Sequence, residues 1–329
     1  MSIDIGIIGT GSYLPERVVT NADVARRVGV TPEWITRKTR IRERRYAAPG
    51  QATSDLAVRA CQEALADADI PAAAIRYLIL ATSTPDSPQP PTSYLVQHAL
   101  RATAATCIDI NVVCSGFVYG LELARALLQQ GVGGHAVVVA ADLYSRILDD
   151  GDRSTTVLLG DGAGAAVVGP VRAGRGVLEA HLLSDGAASD LIGVEAGGSR
   201  VPSSRETVDN RGHCFRMNGR GVRDYVLERV PPAIDELVTK SRSCKESIAH
   251  FVPHQPNGNL LDELVVATGL TKASMHRTHE QYGNVGSASV PVTLDHASKA
   301  GRLNSGELVL LAGFGGGMSI GLSMVRWSR

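Results

Sequence analysis

The feature that most narrows what this chain can fold into is a glycine pattern that occurs twice. Leu159-Gly160-Asp161-Gly162-Ala163-Gly164-Ala165-Ala166 matches Ala312-Gly313-Phe314-Gly315-Gly316-Gly317-Met318-Ser319 at an offset of 153 residues, near half of the 329-residue chain. Each run follows an apolar stretch, sets glycines at alternate positions and leads into another apolar stretch. Alternate glycines clear the side chains from one face of a strand or turn, so a second backbone or a ligand can come close. Two such turns in matching context point to a duplicated architecture. The halves are residues 1–170 and 171–329, with the boundary near Pro170–Gly174.

Short apolar runs alternate with helical periodicity, which indicates α/β layers. Ile5–Ile8, Tyr77–Ala81, Ala136–Ala141 and Thr156–Leu159 read as buried strands, and Ser54–Ala66 and Gly116–Gln130 as helices. The second of these helices is expected to stop at Gly131, ahead of Gly133 and Gly134. Further on, Ala249–Pro253 and Leu308–Ala312 read as strands, and Gly219–Thr239, Asn259–Thr268 and Val290–Lys299 as helices. Gly193–Asn210, rich in Gly, Ser and Val, predicts a long loop near a site entrance.

Hydrophobic residues make up 44% of the chain but aromatics only 4%, so the core has to be built from small and β-branched side chains. Basic and acidic residues balance at 33 each, which gives no pointer to nucleic acid or an anionic membrane as partner. The five cysteines form no CxxC and no metal spacing. An odd, scattered set argues for a reducing compartment. The first residues lack the basic and apolar regions of a signal peptide, and no 18-residue uncharged apolar run occurs, so a cytoplasmic protein is expected.

Three residues stand out as candidates for chemistry. Cys114, in Asn111-Val112-Val113-Cys114-Ser115-Gly116-Phe117, sits at a strand-to-helix turn with small neighbours. There the free N–H groups and positive dipole end of a helix favour thiolate, the nucleophilic form. His254 follows the apolar run Phe251-Val252-Pro253, and Pro253 and Pro256 stiffen the backbone around it. Asn284 lies in Tyr282-Gly283-Asn284-Val285-Gly286, a loop expected to enter a helix at Pro291. Taken singly, each has a plainer reading as a packing cysteine, a loop histidine and a turn asparagine. Gly9-Thr10-Gly11 after a strand invites a dinucleotide site, but Leu14 stands at the third glycine position and Pro15 follows, so that reading is rejected.

In combination the motifs resemble ketoacyl-ACP synthase III, of the thiolase superfamily. The resemblance runs from Gly9 almost to Arg329. It rests on Gly9-Thr10-Gly11-Ser12-Tyr13-Leu14-Pro15, Trp34-Ile35, Ile41-Arg42-Glu43-Arg44, Cys114-Ser115-Gly116-Phe117, Gly160-Asp161-Gly162-Ala163-Gly164-Ala165, His254-Gln255-Pro256-Asn257, Tyr282-Gly283-Asn284 and Gly313-Phe314-Gly315-Gly316-Gly317, in that order. It implies a thiolase-like five-layer αβαβα sandwich of two duplicated halves, as a homodimer. It also implies a Cys-His-Asn triad on Cys114, His254 and Asn284, with an oxyanion hole from the N–H groups of Cys114 and Gly316. Trp34 and Arg153 match positions at the adenine end of coenzyme A, and Phe117 and Asn257 are expected at the substrate. No metal or redox cofactor is implied. The activity implied is acyl transfer through an acyl-Cys114 thioester. A starter from acyl-CoA or acyl-ACP would be condensed with malonyl-ACP, as in fatty acid or polyketide biosynthesis. Two alternatives stay open. One is an acyltransferase of secondary metabolism that moves an unusual acyl unit between carriers without decarboxylation. The other is an inactive pocket-shaping subunit, against which the intact Cys114 argues.

The chain also departs from the family pattern. Arg40 replaces a glycine after the tryptophan segment. Asn259 replaces an arginine that helps dock the carrier protein, and Asp224 falls where a lysine is expected. Removing cations at a tunnel mouth weakens attraction to phosphates, and Arg220 and Arg223 are candidates to compensate. The pocket segment Thr82–Thr92 carries four prolines. Its Gln89 stands where a bulky apolar residue is common, so an unusual acyl group is an expectation.

Overall fold

Two five-stranded sheets repeat one topology. The structure is a computed structural model that describes residues 3–130 and 133–329, so the expected helix stop at Gly131 lies outside it. The first sheet contains β1 (Ile5–Tyr13), β2 (Ile75–Ala81), β3 (Thr106–Ile110), β4 (His135–Leu143) and β5 (Asp161–Pro170), in the order β1-β5-β4-β2-β3. The second contains β6 (Gly176–Ser184), β7 (Ile248–Pro253), β8 (Ser274–Met275), β9 (Leu308–Gly315) and β10 (Ser319–Arg326), in the order β6-β10-β9-β7-β8. In each sheet the first three neighbours pair antiparallel and the last two pairings are parallel.

Helices fill the layers between and outside the sheets. α1 (Thr53–Ala68) covers the outer face of the first sheet, where Leu56, Ala60 and Ala64 meet Leu78, Val137 and Val167. α2 (Gly116–Gln129) and α5 (Ser289–Lys299) lie between the sheets; their Leu121, Ala124, Val290 and Leu294 join one core with Ile79 and Val138 of one sheet and Val252 and Val309 of the other. α3 (Gly219–Lys240) and α4 (Gly258–Thr268) cover the outer face of the second sheet through Val230, Ile234 and Leu264. The strands of the buried sheets are near-continuous runs of Val, Ile, Leu and Ala, as burial on both faces requires. The five-layer αβαβα expectation is met. No described helix is long and apolar enough to cross a membrane.

The glycine runs require a correction. Gly162 and Gly164 lie within β5, whereas Gly313 and Gly315 end β9. Topology makes β4 the counterpart of β9 and β5 the counterpart of β10, so the matched runs sit on non-equivalent strands. What they share is close backbone approach. A Cβ on Gly164 would fall 2.7 Å from the Val292 nitrogen of α5, and one on Gly313 would fall 2.8 Å from the Ser115 Cα ahead of α2.

Other expectations also change. Thr156–Leu159 is not a strand. Asp152 caps the short helix Arg153–Thr156 by accepting from Ser154 N, and Leu159 makes only an isolated bridge to Asn284. Gly193–Asn210 is not all loop: it begins in the strand Ile192–Val194, which pairs with Phe215–Met217, and it contains the helix Arg205–Asp209. α5 starts at Ser289, two residues before the expected entry at Pro291.

Three buried histidines predict how stability responds to acid. Burial is the main cause that pushes His254 down to about 3 and His276 and His279 down to about 4. The unfolded chain therefore binds more protons than the folded one between the ordinary histidine range and those values. Stability is lost as pH falls below about 6.5, by about 1.4 kcal/mol per pH unit for each histidine. Urea midpoints measured from pH 7.5 to 5 should decline steadily; a flat midpoint would show that these rings do not titrate with unfolding.

Candidate active site

Cys114, His254 and Asn284 line one cavity, each delivered by the end of a different element. Cys114 lies in the tight turn Val113–Ser115 that opens α2. Val113 holds φ +44°, a left-handed conformation that costs a β-branched residue and that the surroundings must enforce. They do so from the β9–β10 turn: Ser319 Oγ donates to Ser115 Oγ at 3.0 Å, and Ser115 Oγ donates to the Ser319 carbonyl at 3.2 Å. Gly315 lies directly against the nucleophile. A Cβ there would meet Cys114 Cβ at 2.7 Å and Sγ at 3.0 Å.

His254 leaves the end of β7 with its N–H donating to the Ala312 carbonyl of β9 at 2.6 Å. Its ring stands edge-on to Phe314 at 5.4 Å. Burial pushes it down to about 3, against a smaller opposing contact with the Gly286 backbone, so at neutral pH it is an uncharged imidazole that can donate one proton. The next residue, Gln255, is a clamp. Its Nε2 donates to the Pro253 and His276 carbonyls, and its Oε1 accepts from Thr278 N.

Asn284 is held by the segment mistaken for a strand. Its N–H donates to the Leu158 carbonyl at 2.8 Å, and its carbonyl accepts from Gly160 N at 2.9 Å. Its side-chain Oδ1 accepts from Gly286 N at 2.9 Å. The Nδ2 end is therefore the one left to serve the cavity.

The cavity is narrow, about 40 Å³, and its walls are apolar: Leu158, Leu159, Phe215, Met217, Val226 and Phe314. Ile192 also lines it, directly before the segment Gly193–Asn210 expected near an entrance; no described residue of that segment is among those lining the cavity. Burial first, and the Asp142 carboxylate second, push the Cys114 thiol up. These outweigh the opposing pull of the turn's backbone N–H and of the Tyr144 phenol, so the resting residue is a thiol rather than the thiolate that its place at a helix start suggests.

The other expected site residues divide. Trp34 and Arg153 come together, with the guanidinium 5.8 Å from the indole ring centre. Phe117 does not reach the cavity. It is fully buried in the core between the sheets, because the turn ahead of α2 points Cys114 one way and the first helical turn points Phe117 another. Asn257 is a helix cap: its Oδ1 accepts from Leu260 N at 2.9 Å at the start of α4. Gly316 follows Gly315 in the turn, with its carbonyl 3.2 Å from Ser319 Oγ.

Two of the departures meet each other. Arg40 ends the helix Pro32–Thr39 with φ +60°, a conformation natural to the glycine it replaces. Its Nε donates to Asn259 Oδ1 at 3.0 Å, while Asn259 Nδ2 donates to the Lys38 carbonyl at 2.8 Å. Arg223 does not compensate as a free cation, since Glu263 holds it at 2.5 Å and Asp224 at 2.9 Å.

Sequence reasoning missed a buried polar cluster beside the thiol. Tyr144 lines the same cavity as Cys114. Its phenol also reaches Ser83 Oγ at 2.9 Å. Ser83 in turn donates to Asp142, a fully buried carboxylate. A glycine-flanked turn marks Cys114 in the sequence, but no comparable signal marks these residues.

Comparison with known proteins agrees with this architecture. Residues 108–186 match the family model described as 3-oxoacyl-[acyl-carrier-protein (ACP)] synthase III, and residues 238–327 match its C-terminal model. The chain is 50% identical over 324 residues to the acetoacetyl CoA synthase NphT7 of Streptomyces sp. (strain CL190), covering 98% of both chains. It is 40% identical over 327 residues to a beta-ketoacyl-[acyl-carrier-protein] synthase III of Caldanaerobacter subterraneus subsp. tengcongensis, covering 99% of both. Among solved structures, the priming beta-ketosynthase of the R1128 polyketide biosynthetic pathway superposes with a TM-score of 0.93 at 31% identity, covering 100% of this chain and 97% of that one.

Proposed function

The chain belongs to the 3-oxoacyl-[acyl-carrier-protein] synthase III family, and from that premise we propose that it condenses a short acyl thioester with a malonyl thioester through acyl-Cys114. In the first half-reaction Cys114 sulfur bonds to the acyl carbon and the donor thiol leaves. In the second, the malonyl carboxylate departs as CO2. The enolate oxygen that remains takes hydrogen bonds from His254 and Asn284 Nδ2. The enolate carbon then attacks the acyl carbonyl, whose oxygen is held by the N–H groups of Cys114 and Gly316, and collapse breaks the carbon–sulfur bond to release the β-ketoacyl product and the Cys114 thiolate, which takes one proton from water to regain the resting thiol.

The observation that carries this reading is that Cys114, His254 and Asn284 share the walls of one cavity, with an uncharged imidazole among them. An uncharged donor and an amide stabilise an enolate without supplying a proton acidic enough to quench it. The narrow cavity, which Tyr144 also lines, favours a two-carbon acyl group. The relative named for acetoacetyl-CoA makes a product that joins two such units. Asn259 occupies the expected carrier-docking position with a neutral side chain already bonded to Arg40 and Lys38, which favours malonyl-CoA over malonyl-ACP as acceptor.

The test combines acetyl-CoA with malonyl-CoA or malonyl-ACP and follows CO2 and product mass. We expect an acetyl group on Cys114, CO2 release and a four-carbon product, made faster from malonyl-CoA. Acetyl transfer to the acceptor without CO2 would replace condensation with simple acyl exchange, and a preference for malonyl-ACP would overturn the reading of Asn259.

A further inference from the structure

The loop that carries Asn284 is anchored outside its own half of the fold, and the anchor is Asp142. Asp142 lies near the end of β4 in the first sheet and is fully buried. Its two oxygens divide their donors by origin. Oδ1 accepts from the segment that follows β2: from Ser83 N at 2.8 Å, Ser83 Oγ at 2.9 Å, Thr82 Oγ1 at 3.2 Å and Thr84 Oγ1 at 3.4 Å. Oδ2 accepts from the second half, from Ser287 N at 2.8 Å and Ser287 Oγ at 2.6 Å. Gly286, the residue before, holds φ +57°. A Cβ there would run into Asp142 Oδ2 and Tyr144 Cε2, so only glycine lets this backbone lie against the end of β4. The N–H of the same glycine donates to Asn284 Oδ1 at 2.9 Å. Two successive peptide N–H groups are thus fixed, that of Ser287 on Asp142 and that of Gly286 on the Asn284 amide. The orientation of that amide, with Nδ2 left for the cavity, depends on where the two residues sit. Asp142 is not among the described residues that line the cavity.

We propose that Asp142 is a positioning residue for the condensing step: through Ser287 and the Gly286 peptide it holds the Asn284 amide against the half of the fold that carries Cys114. The proposal rests on the reading of Asn284 as an enolate donor. Acylation uses the sulfur and the N–H groups of Cys114 and Gly316, and the Cys114 turn is tied to the β9–β10 turn through Ser115 and Ser319 instead. Condensation also needs Asn284 Nδ2, and a donor displaced by about an ångström loses most of its hold on a developing charge. Asparagine at position 142 keeps the shape of the side chain but has one acceptor oxygen. Four donors converge on Oδ1 and two on Oδ2, so the amide oxygen is kept by residues 82–84 and the NH2 group faces Ser287. Ser287 Oγ can turn to the Ala81 carbonyl, 3.3 Å away. Ser287 N–H has no such choice: it loses its acceptor and meets another N–H.

Single-turnover acylation and CO2 release from malonyl-CoA, measured on the same variants, read the two half-reactions apart. We expect Asp142→Asn to slow CO2 release roughly 10- to 100-fold while acylation stays within about threefold of wild type. Ser287→Ala keeps the backbone N–H on Asp142, so it should slow CO2 release by roughly 3- to 10-fold, and it carries the test if Asp142→Asn does not fold. In an Asn284→Asp background, where the donor is already gone, Asp142→Asn should slow CO2 release no further. Asp295→Asn is the matched control. Asp295 is a buried carboxylate of α5 that accepts from Thr10 Oγ1 at 2.9 Å and Ser12 Oγ at 2.6 Å on β1, and its variant should lose stability with the ratio of the two rates unchanged. Equal slowing of both half-reactions, wild-type CO2 release by the Asp142 and Ser287 variants, or losses that multiply with Asn284→Asp would overturn the positioning role alone. Wild-type protein that acylates yet releases no CO2 from any malonyl thioester would overturn the condensation itself, and the task assigned to Asp142 with it.

Discussion

Replacing Asn284 with aspartate is expected to leave acylation of Cys114 within a few-fold of wild type while slowing decarboxylative condensation roughly 100- to 1,000-fold. The two ends of this side chain have separate tasks. Oδ1 accepts from Gly286 N at 2.9 Å, which settles the orientation of the amide, because the backbone N–H needs an acceptor. Aspartate keeps that acceptor and the loop that depends on it. It loses the Nδ2 donor and sets negative charge where the enolate oxygen would develop. Asn284→Ala, which removes both ends, should lose stability as well, through the orphaned Gly286 N–H. Rapid-quench mass spectrometry of the acyl-enzyme and CO2 release from malonyl-CoA read the two half-reactions apart. If the aspartate variant releases CO2 at the wild-type rate, the enolate is not held by Asn284. If acylation falls as far as condensation, the residue shapes the cavity rather than one step.

The parts of the site that were legible in the sequence share a physical signature. Cys114, His254 and Asn284 each sit where a regular element gives way to a turn, and such turns demand glycine, proline or a small residue. A Pro-flanked histidine and a Gly-flanked asparagine are therefore visible without coordinates. Tyr144, Ser83, Asp142 and Ser287 carry no such mark. They are ordinary residue types on three separate segments, and only the sheet order and the loop of Asn284 bring them together. Proximity in a motif also misled. Phe117 lies three residues from Cys114 yet packs in the core, and Asn257 lies three residues from His254 yet caps α4. The repeat was readable but its register was not. Glycine selects for backbone approach, and in one half that approach falls at the start of β5, in the other at the end of β9. Thr156–Leu159 failed for a different reason: its β-branched and apolar residues fit a strand, and the Asp152 cap and the Thr156 hydroxyl bond to the Asp149 carbonyl turn it into a helix end.

Gly315→Ala should reduce stability by about 1–3 kcal/mol and slow Cys114 acylation about 100-fold or more. The backbone at Gly315 lies outside the left-handed region, so alanine can adopt its conformation. The damage is steric. The new methyl would sit 2.7 Å from Cys114 Cβ, 3.0 Å from Sγ and 3.3 Å from the Cys114 nitrogen. β9 cannot retreat, because it pairs with β7 on one side and β10 on the other. The Cys114 turn cannot easily yield either, since Ser115 and Ser319 tie it to the same hairpin. Something moves by a few tenths of an ångström or more, and both candidates, the sulfur and the amide beside it, belong to the reaction. Gly9→Ala is the matched control. Its methyl would crowd the Ala64 carbonyl of α1 at 2.6 Å, far from the cavity, so it should lose comparable stability with acylation unchanged. Denaturant midpoints and single-turnover acylation of both variants separate the two effects. Equal acylation rates in the two would show that the β9–β10 turn tolerates crowding. The glycine at position 315 would then serve packing between the halves rather than the placement of the nucleophile.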